Sequence, residues 1–242
     1  MRIGGASSEY LNRTIRESLG SMIIDIHMHC SPRPDWISYD PIKKQYVRFI
    51  TAAELIKKMD QETIDKAVIL PLSSPESSIE QVTTREAIAM CRLNGARLIP
   101  FCNPDPRISM GSERELAFIL EEYKKEGCKG VGELTCNLYF DDTRILSLFR
   151  ACQDMALPVL FHIGPKEGGC YGLVDDLNLP RLEGCLKAFP NLTFIGHSQP
   201  FWAEISGDLK PEERNGYPTG KVLPGGKVVQ FLRDYPNLYG DL

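Results

Sequence analysis

Seven short apolar runs recur along the chain, separated by longer stretches in which apolar residues return at helical spacing. The runs are 22–29, KAVILPL (66–72), RLIPFCNP (97–104), KGVGEL (129–134), PVLFHIG (158–164), 191–198 and LYGDL (238–242). Their Val, Ile, Leu and Phe content and their length predict strands. Between them, Thr51-Ala-Ala-Glu54, Ser77-Ser-Ile-Glu80 and Ser112-Glu-Arg-Glu115 have the capping-box spacing that opens a helix. The predicted helices span 51–60, 77–94, 112–127, 142–156 and 179–189, with a further one over 8–19. Phe189-Pro-Asn-Leu192 and Tyr235-Pro-Asn-Leu238 repeat one junction 46 residues apart: proline ends a helix, asparagine turns, leucine starts a strand.

Alternating strands and helices without hairpin signals predict a parallel sheet covered by helices. Ligand sites in such folds lie at the C-terminal strand ends. Two connections exceed ordinary loops. Segment 31–49 holds three prolines and several aromatics and is placed to wall a pocket. Segment 200–224, rich in Gly and Pro and carrying Trp202 and Tyr217, is placed to cover its mouth.

The chemistry starts at MIIDIHMHC (22–30). Side chains alternate along a strand, so Asp25, His27 and His29 are expected on one face. Two imidazoles converging at a strand end suit a divalent metal, and Asp25 could orient one of them from behind. The chain has four histidines. The other two, His162 and His197, also end apolar runs, which predicts one shared metal site. Glu133 ends the fourth run. Contributions from the first, fourth, fifth and sixth strands suit a closed barrel better than an open sheet.

Composition narrows the rest. With 242 residues there is enough chain for one substantial core. A net charge of −4 gives no electrostatic footprint for nucleic acid, and no polybasic run suggests a membrane surface. No run approaches the roughly 20 apolar residues of a membrane span, and residues 1–20 lack an apolar signal core. The cytoplasm is the expected location. The eight cysteines include no CxxC pair and sit mostly in apolar patterns, as free thiols do. Neither GxGxxG, P-loop nor GxSxG spacing occurs.

IDIHMH (24–29), VGEL (131–134), LFHIG (160–164), FIGHSQPFW (194–202) and YPNLYGDL (235–242) together resemble the amidohydrolase superfamily, in its amidohydrolase-related branch. The resemblance spans nearly the whole chain. It implies an α/β, TIM-barrel-like (β/α)8 fold forming one domain over 1–242, apparently stopping after strand seven. It implies one or two divalent ions, zinc first, with manganese or iron as alternatives. His27, His29 and His162 would be ligands, Glu133 a bridging ligand, and His197 a second-metal ligand or a group polarising the substrate. The family's catalytic Asp closes strand eight. Here that strand is missing by this count, unless Asp241 is itself the base.

The expected activity is hydrolysis of a small amide, lactone or carboxylated ring by metal-activated water. Arg33, Lys166, the loop at Gly168-Gly169 and Trp202 are the candidate substrate contacts. Non-oxidative decarboxylation on the same scaffold is the alternative, and an inactive metal-binding fragment is a third. The expected partner is a small molecule. A barrel short of one strand has two free edges, which pairing with another copy would mask.

Overall fold

The computed structural model describes residues 22–40, 44–77, 80–108 and 112–241. The helix expected at 8–19 lies outside these residues. Seven parallel strands form the staves: β1 (Ile24–Met28), β4 (Lys66–Ile69), β5 (Leu98–Pro100), β6 (Val131–Leu134), β7 (Val159–Gly164), β9 (Phe194–His197) and β10 (Leu238–Gly240). Their order is that of the sequence. β1, β4 and β5 form one hydrogen-bonded run, and β6, β7, β9 and β10 another. A parallel bridge between Cys102 and Val131 joins the two. The remaining short strands are β2 (Ser38–Asp40), β3 (Gln45–Val47) and β8 (Leu173–Val174).

The helices are α1 (Ala52–Glu62), α2 (Thr84–Leu93), α3 (Glu113–Lys125), α4 (Thr143–Asp154), α5 (Pro180–Ala188), α6 (Gln199–Ala203) and α7 (Lys227–Asp234). The strands' alternation sets two layers. On β7, Val159 and Phe161 point outward into a cluster with Phe149, Phe194 and Phe201 beneath the helices. Leu160 points inward to a ring with Val68, Leu70, Phe101 and Ile195. His162 follows two residues after Leu160, so it faces inward at the top of the same strand.

Three expectations need correction. Segment 31–49 contains an antiparallel pair, β2 with β3, closed by Tyr39 against Tyr46. Nothing in its mixed composition has the two-residue turn signature that marks a hairpin. Helix α2 begins at Thr84, not at Ser77. Its capping box is Thr83 with Glu86, because Val82 is still paired with Leu72 across a bridge and Glu80 is buried against Ser31 and Arg33. Third, the register of β1 on β4 shifts between Asp25 and Met28. A bulge interrupts alternation, so Ile26 reaches the inner ring while Met28 packs with Leu55 and Met59 on the outside.

Candidate metal centre

His27, His29, Glu133, His162, His197 and Asp241 meet at the C-terminal ends of β1, β6, β7, β9 and β10. Each imidazole is oriented through Nδ1 by an oxygen. His29 Nδ1 donates to the carbonyl of Leu70 at 3.0 Å, and His162 Nδ1 donates to Glu133 Oε1 at 2.7 Å. His27 and His197 both donate to Asp241, at 2.6 and 2.9 Å. A histidine whose Nδ1–H is engaged by an oxygen presents Nε2 as a lone-pair donor, the usual state of a metal ligand.

Three of these donors form a compact triangle. His27 Nε2 lies 3.2 Å from His29 Nε2, His29 Nε2 lies 3.2 Å from Glu133 Oε2, and His27 Nε2 lies 3.6 Å from Glu133 Oε2. Ligands about 2.0–2.1 Å from a tetrahedral ion sit about 3.3–3.4 Å apart. The triangle therefore has the edges of a coordination face. Three electron-pair donors at this separation also repel one another unless a cation or a proton lies between them. Glu133 with His162 and His197, and Asp241 with His27 and His197, form further groups able to hold an ion.

The electrostatics follow from this packing. Burial works against the Glu133 carboxylate, but hydrogen bonds from His162, His27 and His29 outweigh it and hold the group well below the usual range. Asp241 is likewise opposed by burial yet brought down to about 2 by His197 and His27. Burial lowers the His27 pKa, and its bonds to Asp241 and Glu133 overcome that and raise it to about 9. His162 is pushed down by burial despite its bond to Glu133.

The backbone around Glu133 depends on a glycine. Gly132 has φ of 147°, and a Cβ there would lie 2.5 Å from the Leu160 carbonyl oxygen. Gly172 is similarly constrained, with φ of 108° and space for a Cβ only 2.8 Å from His162 Cδ2. That close approach lets Tyr171 pack against His162, with ring centroids 4.5 Å apart and the rings tilted at 49°.

The remaining sequence candidates fare differently. Asp25 accepts from the backbone N–H of His27 at 3.0 Å, so orientation of the rings falls to Asp241 and Leu70 instead. Arg33 is already neutralised: Glu80 and Glu86 pair with it and the Gln81 carbonyl accepts from it at 2.7 Å. Trp202 packs against Phe201 and behind Gly240, where a Cβ would lie 2.6 Å from its ring; it buttresses β10. Lys166 is exposed on the loop that carries Tyr171, and Gly168 N–H in that loop donates to Asn137 Oδ1 at 2.6 Å. All eight cysteines are free. Burial pushes the thiols of Cys30, up to about 12, and Cys136 upward, which suits inert core residues.

Sequence reasoning missed Tyr171 and the Leu70 carbonyl. Phe49, inside the expected wall segment, lies 5.6 Å from the His29 ring. Tyr217, in the expected cover, has its pKa raised by burial and by the charges of Asp241 and Glu133.

No known family model matches the chain, and no curated protein matches it. Solved structures do. One is an uncharacterised TIM-barrel protein from Bordetella bronchiseptica, with a TM-score of 0.57 and 16% identity over 91% of this chain and 74% of that one. A second is a probable 2-pyrone-4,6-dicarboxylic acid hydrolase from Acinetobacter baumannii with citric acid bound, at 0.51 and 13%, covering 88% and 66%. A third is a 5-carboxyvanillate decarboxylase from Novosphingobium aromaticivorans with manganese and a substituted nitrobenzoic acid bound, at 0.50 and 16%, covering 91% and 79%. The chain thus has the α/β TIM-barrel fold that its motifs implied, and it spans two thirds to four fifths of the length of these neighbours.

Proposed function

We propose that this chain is the metal-binding barrel of a hydrolase of the amidohydrolase type. The observation that carries this is the triangle of His27 Nε2, His29 Nε2 and Glu133 Oε2, whose edges of 3.2, 3.2 and 3.6 Å suit a single divalent ion. Nitrogen and carboxylate donors without thiolate favour zinc, manganese or iron. His162 and His197 stand beside Glu133 as further donors, enough for a second ion.

A bound divalent ion supplies Lewis acidity toward a carbonyl oxygen and makes water more acidic. The protein's own groups handle the protons. Asp241, ionised and held by two imidazole N–H groups, is the proton acceptor. His197 keeps its Nε2 lone pair on the cluster side, 3.9 Å from Glu133 Oε1, which fits the role of second-metal ligand; polarising a substrate oxygen from there would take a proton on Nε2. Tyr171 packs against His162 and Phe49 against His29, so both rings flank the cluster. The substrate is a small amide, lactone or carboxylated ring, and Lys166, exposed on the loop that carries Tyr171, is the candidate contact for a carboxylate. The hydrolase name of the Acinetobacter neighbour, on a dicarboxylic acid, supports this class.

Decarboxylation is the second reading, favoured by the decarboxylase of the same fold. Carbon dioxide among the products separates the two. The deciding experiment is elemental analysis of protein purified without chelating resin. One or two equivalents of zinc, manganese or iron are expected, with severe loss in His27→Ala and His29→Ala. Protein that is metal-free and takes up no added zinc would overturn the reading.

A further inference from the structure

Asn103 lies just beyond β5, 5% exposed. Its Nδ2 donates to the Glu133 carbonyl oxygen at 2.6 Å and lies 3.4 Å from the carbonyl oxygen of Pro71. The Glu133 carbonyl has left the sheet ladder. β6 pairs with β7 only at Val131 and Leu134, with an irregularity between them. A buried carbonyl outside the ladder must find another donor, and Asn103 is that donor. Pro71 follows Leu70, whose carbonyl fixes His29. One amide nitrogen therefore stands between the two segments that aim Glu133 and His29. The main chain of Asn103 is itself tied down. Its N–H donates to Thr84 Oγ1 at 3.1 Å, and its carbonyl accepts from Ser73 Oγ at 2.8 Å.

We infer that Asn103 is a positioning residue for the metal centre: its side-chain amide holds the Glu133 backbone, and so the Glu133 carboxylate, within reach of His27, His29 and His162. The inference rests on the metal reading above. Asn103 reaches no donor atom of the cluster directly. Only a neutral donor works at this place. Aspartate would set an anionic oxygen against two carbonyls, and alanine would leave the Glu133 carbonyl bare.

The test uses the full chain with Asn103→Ala, and Asn94→Ala as a matched control, whose amide donates to the Met90 carbonyl at 3.0 Å at the end of α2. Zinc affinity is measured by chelator competition, thermal stability on the metal-free protein, and the His162 Nδ1–H by imidazole ¹⁵N NMR. Asn103→Ala is expected to weaken zinc binding about 10- to 100-fold, while Asn94→Ala leaves it near the parent value. In a Glu133→Gln background the effect of Asn103→Ala should largely vanish, since the two changes act on one element. An unchanged zinc affinity, or the same loss with and without Glu133, would overturn the inference. If the parent chain takes up no zinc, the metal reading falls and the imidazole signal decides. A His162 resonance displaced by Asn103→Ala and not by Asn94→Ala supports the positioning role; a resonance left in place refutes it. Should Asn103→Ala fail to fold, Asn103→Ser, which keeps a donor on a shorter reach, is measured the same way.

Discussion

His27 faces two carboxylates, one on each ring nitrogen. Nδ1–H is bound by Asp241, and Nε2 faces Glu133 across 3.6 Å. Without metal, this pairing raises its pKa to about 9 from 6.5. The raised value fixes the sign of a stability effect. Below pH 6.5 the proton is bound in both folded and unfolded chains and the extra stability is fully present. As pH rises from there through about 9 it is lost, a fall on the order of 3 kcal/mol. Urea titrations of metal-free protein at pH 6 and 9 should show that fall, and His27→Gln should flatten it. The same proton occupies the nitrogen that an ion needs. Metal binding at pH 7 should therefore release about one proton from His27, read by calorimetry in buffers of different ionisation heat. Uptake of zinc with no proton release would mean that His27 is not a ligand.

β7 shows how one element serves both core and site. Phe161 is fully buried, its ring packed against Phe140 and Phe201 at 5.1 and 5.9 Å, and the next residue is His162. Phe161→Ala should cost about 3–5 kcal/mol, measured by urea denaturation, with Phe161→Leu costing distinctly less. A loss under about 1 kcal/mol would place Phe161 outside the cooperative core. PVLFHIG made this strand legible, because its alternation puts Leu160 and His162 on one face. Spacing made Thr51's capping box legible, and the ends of the apolar runs marked where the other histidines and Glu133 stand. Spacing failed where longer-range contacts outrank local pattern. Ser77 and Thr83 each stand three residues before a glutamate. Only the Leu72–Val82 bridge and the burial of Glu80 decide that the helix starts after Thr83. The bulge in β1 hid in the same way, since a register shift leaves no mark on an alternating sequence. Leu70 could not be found from its side chain, because its contribution to the site is a backbone carbonyl.

At the scale of the whole molecule, the seven staves do not close by hydrogen bonding. Among the described residues no ladder joins β1 to β10. What links them is Asp241 reaching across to His27. Asp241 follows the seventh stave of the described residues, and its carboxylate belongs to the cluster. Below it lies a cavity of about 460 Å³, lined in part by Ile26, Leu157, Leu192, Ile195 and Tyr239. Tyr239, on its lining, is 57% exposed, and Ile24, at the start of β1, is 46% exposed. Apolar surface next to unpaired strand edges favours association with another chain, and a second copy is the simplest source. Sedimentation velocity across micromolar concentrations should show self-association. Tyr239→Lys places a charge on that edge, and its side chain points to solvent in the free chain, so it should shift the distribution toward monomer with little change in thermal midpoint. A chain that stays monomeric at every concentration would show that the tie between Asp241 and His27 is enough to keep this side of the barrel to itself. A midpoint that falls sharply in Tyr239→Lys would place the ring in the fold of one chain instead of at a contact between two.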